Sequence, residues 1–287
     1  MRKMDRLFKY GIACSLNETS VHAPITLRGD IEQIATTAKE IGYNGIELQL
    51  CNPQDYDWNN LANVAKQVGV EFCAIATGRE IVENKLSLIS EDRGVRRAAI
   101  DRLKLHIDLG AVIHCMVIVG SMRSSIPDWN RYQYYEDLLT EAILELSDYA
   151  ATKDVKLVVE NILTSISNYL NTMKQVMDYI KKLNRDNVGV HLDTYSMLME
   201  DNNITGSVQY CAPKLDYVHF SDSARLYPGG GNVDFKTFIK SLLDVGYKGY
   251  ITTECVPYPT EYLCAKRGLD YIRALETCVT IERSVVP

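Results

Sequence analysis

The stretch VGVHLD, residues 188–193, is an apolar run that ends on a carboxylate. A charge buried without a partner costs several kcal/mol, so Asp193 is expected at a strand end, in reach of water, a loop amide or a cation. Seven other runs share this build: YGIAC (10–14), GIELQL (45–50), EFCAIAT (71–77), VIHCMVIVG (112–120), KLVVENI (156–162), LDYVHFS (215–221) and YITTEC (250–255). Between them apolar residues recur at helical spacing, as in residues 30–42, 61–69, 97–110, 134–150 and 235–246, several of which end in glycine. The runs are continuously apolar rather than alternating, which marks parallel strands covered by helices. Eight such units predict an α/β fold, a closed (β/α)8 TIM barrel forming a single domain over residues 1–287. An open doubly wound sheet ranks second, because the turn after the first run, SLNET, has no glycine to admit a pyrophosphate.

The chain has 287 residues and a formal net charge of -6, with no basic run, which argues against a nucleic-acid partner. No window reaches the length of a membrane helix and the N-terminus lacks a signal-peptide core, so a soluble, cytoplasmic protein without a membrane partner is expected. Eight cysteines show no CxxC pair and are read as reduced; Cys14, Cys73, Cys115 and Cys255 fall in apolar runs as small core residues.

In such a barrel chemistry is built at the C-terminal ends of the strands. Strand five ends with Glu160, strand six with Asp193, strand seven with His219 and strand eight with Glu254. One strand-end carboxylate is ordinarily a cap or a surface group, and Asp193 before Thr194 could cap a helix. Four ionisable residues at matching ends of consecutive strands are hard to obtain by accident. Three carboxylates and an imidazole suit one hard to borderline divalent ion, with positions left for substrate oxygens. Glu47, in GIELQL, is expected to line the mouth. Arg225, on the loop after His219, could hold a substrate hydroxyl or carboxylate, although a solvated loop arginine fits the spacing equally. His191 is expected as a hydrogen-bonded core residue, His22, His106 and His114 as structural, and PGGGNVDF (228–235) as a flexible loop.

These residues resemble the xylose-isomerase-like TIM barrels, in particular the D-tagatose/D-psicose 3-epimerase and 5-keto-L-gluconate epimerase branch. The resemblance is carried by DWNNL from residue 57, CAIATGRE with LSL (73–88), Glu160 with YLNT (169–172), VGVHLDTY, HFSDSAR, PGGGNVDF and TTECVPYP. It implies Glu160, Asp193, His219 and Glu254 as metal ligands, Glu160 and Glu254 as the acid/base pair, and Arg225 as a substrate contact. The implied cofactor is one divalent metal ion, Mn2+ foremost, with Mg2+ or Co2+ as alternatives. Two positions depart from the branch: Ile166 stands where a substrate-binding carboxylate is usual, and Ser196 where a substrate-binding histidine is usual. Both would face the substrate.

The expected chemistry is proton abstraction next to a carbonyl, through an enediolate, on a keto sugar or keto sugar acid. Return of the proton from the opposite face is epimerisation; return to the neighbouring carbon is isomerisation. The alternative is a lyase of the same fold, an inosose-type dehydratase or the catalytic subunit of a C-glycoside deglycosidase, with a small partner subunit. A repair endonuclease is disfavoured by Thr77 and Val119 at the ends of strands three and four, where a multi-zinc site needs histidines. A sugar-binding subunit with a structural metal is the non-enzymatic reading. A small carbohydrate ligand and a homo-oligomer are expected.

Overall fold

Eight parallel strands follow one another round a closed barrel: β1 (Lys9–Ser15), β2 (Gly45–Gln49), β3 (Glu71–Ala76), β4 (Met116–Val119), β5 (Leu157–Glu160), β6 (Val188–Asp193), β7 (Leu215–Phe220) and β8 (Tyr250–Thr253). The ring closes where Lys9 to Ile12 of β1 pair in register with Tyr250 to Thr253 of β8. A two-residue strand, Leu27–Arg28, adds to β1 outside the ring. The structure, a computed structural model, describes residues 7–285.

Each strand is followed by helical chain. The helices are α1 (Ile31–Ile41), α2 (Trp58–Val68), α3 (Arg79–Asn84), α4 (Arg93–Ile113), α5 (Tyr132–Ala151), α6 (Met173–Leu183), α7 (Thr194–Glu200), α8 (Ile204–Cys211), α9 (Phe235–Asp244) and α10 (Glu261–Val285). Local chemistry sets their ends. Asp30 and Asp57 accept the first free amides of α1 and α2, and Gly42 and Gly69 close them in the left-handed conformation. Thr172 and Gln175 form a capping box at α6. Among the described residues no helix is long and apolar enough to cross a membrane.

The fourth apolar run is shorter as a strand than its composition suggests. Val112 and Ile113 belong to the last turn of α4, and His114 ends that helix in the left-handed conformation. Two β-branched residues in a row read as strand, but packing of the long helix overrides that preference.

Residue parity divides the core in two. Ile75, Val117, Val119, Leu157, Val159, Val190, Leu192, Val218 and Phe220 pack outward with the helices in the main apolar cluster. The alternate residues Ala74, Ala76, Ile118, Val158 and Tyr217 form a smaller cluster of their own inside the ring. All eight cysteines are free thiols, and Cys14, Cys73, Cys211, Cys255 and Cys264 are buried.

Candidate active site

The parity that turns Val158 and Tyr217 inward also turns inward Glu47, Gln49, Glu160, His191, Asp193, His219 and Glu254; Gln49, Glu160, Asp193, His219 and Glu254 lie at or next to the C-terminal ends of their strands, and Glu47 and His191 lie deeper. These polar residues are buried or, for Glu160, nearly so. Each therefore needs a partner, and the contacts account for most of them.

Asp193 serves two neighbours with its two oxygens. Oδ1 accepts the amide of Ser196 at 2.7 Å, capping α7, and Oδ2 accepts from Arg225 Nη1 at 2.6 Å. The same nitrogen reaches Glu254 Oε2 at 2.9 Å, and Gln49 Nε2 donates to Glu254 Oε1 at 2.8 Å. Asp193 thus caps the helix, as its place before Thr194 allowed, and is paired with the Arg225 cation at the same time.

His219 lies between carboxylates. Its Nε2 is 2.6 Å from Glu47 Oε2, while Nδ1 lies 3.5 Å from Glu254 Oε2 and 3.9 Å from Asp193 Oδ2. Nδ1 is buried without a hydrogen bond. Ligand atoms of Glu160, His191 and His219 come within 4.8 Å of one another, as do those of Glu47, His219 and Glu254. An orphaned imidazole nitrogen aimed at carboxylates from two flanking strands fits a divalent cation, and the mixed oxygen and nitrogen donor set suits a hard to borderline one.

The electrostatics separate the two glutamates. Burial, with the charge of Glu254, pushes the Glu160 carboxyl up to about 8. Burial acts on Glu254 too, but His219 and Arg225 outweigh it and hold that carboxyl down to about 2. Burial alone would lower His219; Glu47 and Glu254 reverse this and hold it well above the ordinary imidazole value.

Arg225 owes its position to a pinned loop. Ala224 and Arg225 both adopt φ 56°, an uncommon conformation without glycine. The buried Asp222 accepts amides of Ser223, Gly229 and Val233 at 2.7, 2.9 and 2.9 Å, and Arg225 C=O accepts Val256 N–H at 2.8 Å. The glycine-rich segment expected to be flexible is thus tied to one carboxylate. Gly229, at φ 90°, packs so closely on Tyr271 that a Cβ would stand 2.6 Å from the ring.

A cavity of about 330 Å³ opens over these groups, lined on one side by Gln49, Glu160, Ser196, His219, Arg225 and Glu254. Ile166 stands at its rim, 54% exposed. Glu47, expected at the mouth, lies instead beneath the cavity, where it accepts from Tyr217 Oη at 2.8 Å and faces His219. Gln49, which the sequence reading did not single out, reaches the site because it lies two residues beyond Glu47 on the inward face. His191 is buried as expected, but neither ring nitrogen is hydrogen-bonded; it meets His219 edge-on, with centroids 4.1 Å apart. His106 is a buried structural residue whose Nε2 lies 3.0 Å from Glu80 Oε1.

An inward crown of carboxylates and imidazoles near the C-terminal rim is where a TIM barrel builds its chemistry, and the relationships name the family. The chain belongs to the xylose isomerase-like TIM barrel family, whose model matches residues 35–275. It is 30% identical over 220 residues to the ketose 3-epimerase of Arthrobacter globiformis, covering 75% of this chain and 74% of that one. It is 24% identical over 263 residues to the fructoselysine 3-epimerase of Shigella flexneri, 85% of this chain and 93% of that one. A solved L-ribulose 3-epimerase superposes with a TM-score of 0.82 at 22% identity, covering 97% of this chain and 98% of that one, a likeness of fold.

Proposed function

We propose that this protein is a divalent-metal-dependent epimerase of keto sugars in which Glu160 and Glu254 handle the proton next to the carbonyl. The observation that carries this reading is the approach of two glutamates, from β5 and from the end of β8, to the single imidazole of His219 inside one cavity. Two carboxylates entering from strands that are not neighbours can address opposite faces of a substrate lying between them.

Glu160, Asp193, His219 and Glu254 would hold the ion, Mn2+ foremost; when bound it supplies Lewis-acid stabilisation of the negative charge that develops on the substrate oxygens. One glutamate removes the proton from the carbon beside the carbonyl, and the other returns a proton to that carbon from the opposite face. Arg225 orients the substrate: its planar fork has five donors, of which Nη1 serves Asp193 and Glu254. Gln49 fixes the Glu254 carboxylate from behind. Burial of the whole group keeps bulk water from quenching the intermediate.

The relatives reported above carry epimerase names, which supports inversion at one carbon over elimination. The test is incubation of the Mn2+-loaded protein in D2O with ketohexoses, ketopentoses, keto sugar acids and keto sugars substituted through nitrogen or oxygen. Deuterium next to the carbonyl together with the C3 epimer is expected. Loss of a β-substituent, or no exchange across the panel, would overturn the assignment.

A further inference from the structure

Away from the catalytic groups the cavity changes character. The part built by the loop after β1, by α3, by β4 and by the loop after β5 is walled by Ile25, Val82, Ile118, Ile162 and Ile166. Val82 and Ile166 are 68% and 54% exposed, large apolar groups left open to solvent at the mouth of a binding site. The outer edge is polar again, where Arg79 Nε donates to Glu83 Oε1 at 2.7 Å. An unsubstituted ketose carries a hydroxyl on every carbon beyond the reacting ones. Each hydroxyl laid against this wall would exchange water for a methyl group, at roughly tenfold or more in affinity.

We propose that the substrate is a conjugated ketose: a keto sugar whose reacting carbons lie at Glu160 and Glu254 and whose alkyl or aryl substituent, joined through nitrogen or oxygen, lies against Ile25, Val82, Ile118, Ile162 and Ile166. The placement of the sugar end rests on the epimerase reading. The placement of the substituent rests on the apolar wall alone. A substituent there covers the exposed Val82 and Ile166 and ends near the Arg79–Glu83 pair, where a polar tip would return to water.

The test varies chain length at constant linkage, by calorimetric titration of the protein in excess Mn2+. One arm compares 1-deoxy-1-(methylamino)-D-fructose with its butylamino homologue; the other compares methyl with butyl 3-oxo-β-D-glucoside. Three extra buried methylenes should tighten binding by about fiftyfold in at least one arm, and that arm identifies the linkage. Val82→Glu, a change at an exposed position that spares the core, should remove at least tenfold of this gain. Butyl homologues that bind no tighter than methyl ones in both arms, or a gain untouched by Val82→Glu, would overturn the proposal. Deuterium exchange in D2O is followed in the same samples: tight binding without exchange would sink the epimerase reading and leave the conjugate site standing, whereas exchange without chain-length dependence would do the reverse.

Discussion

Glu47 Oε2 stands 2.6 Å from Nε2 of His219, on strands that share no edge, so the contact crosses the inside of the barrel. A carboxylate at Nε2 fixes one proton there, so that an ion taken up beside Asp193 and Glu254 would displace the other and meet the Nδ1 lone pair. Glu47→Gln keeps the size but can present an amide N–H to Nε2, which moves the ring proton to Nδ1. Mn2+ affinity, measured by titration calorimetry, should fall about 10- to 100-fold, with the circular dichroism spectrum unchanged. Parent-like affinity would show that the imidazole needs no such support.

Asp193→Asn removes a negative charge from the carboxylate that faces both His219 and Arg225. The amide can still cap α7 through its oxygen, so thermal stability should shift little. Metal content after dialysis, read by elemental analysis, should fall from about one ion per chain toward zero. A variant with undiminished metal would refute the ligand set.

Gly120 tests the position of Glu160 without touching it. A Cβ at residue 120 would stand 2.6 Å from Glu160 Oε2, the free end of a side chain and the atom that yields. Gly120→Ala should therefore fold normally while displacing the carboxylate by about 1 Å, a misplacement that costs on the order of 100-fold in kcat. Unaltered turnover would mean that Glu160 has no exacting position.

Asp222→Ala leaves three backbone amides without their acceptor. Loosening of the 222–233 loop should raise KM more than it lowers kcat, because Arg225 loses its support. Proteolysis should cut the variant within that loop faster than the parent, and equal cutting rates would contradict the pinning role.

Burial lowers the pKa of His106 below the ordinary imidazole value despite the neighbouring Glu80. The unfolded chain then binds this proton before the folded one does, so the residue subtracts stability as pH falls below about 6.5. The parent should lose stability between pH 7 and 5 more steeply than His106→Gln, by at most about 1.4 kcal/mol per pH unit. Parallel slopes in denaturant melts would remove His106 from the account.

The eight strands and the groups at their ends were legible because continuous apolar runs and their polar stops are local properties. The inward parity of Glu160, Asp193, His219 and Glu254 followed from the same runs. Glu47 was legible as an inward carboxylate but not as the partner of His219, since that contact depends on the diameter of the ring rather than on spacing along the chain. The loop at 228–235 looked free because Asp222, which holds it, offers no signal beyond being one more aspartate. His114 and the two residues before it looked like strand because the helix that claims them begins some twenty residues earlier.

Closure of the ring between β1 and β8 has a consequence for how the protein is made. Synthesis is vectorial, and β1 leaves the ribosome with one edge that only Tyr250–Thr253 can fill. At about 5–20 residues per second the wait lasts roughly 12 to 50 seconds, during which the Lys9–Ser15 edge is open to wrong pairings. Glu254 arrives with that last strand, so the proposed acid/base pair completes itself only when the barrel does. A nascent chain stalled short of β8 therefore lacks Glu254 and keeps an open strand edge, and the two conditions end together.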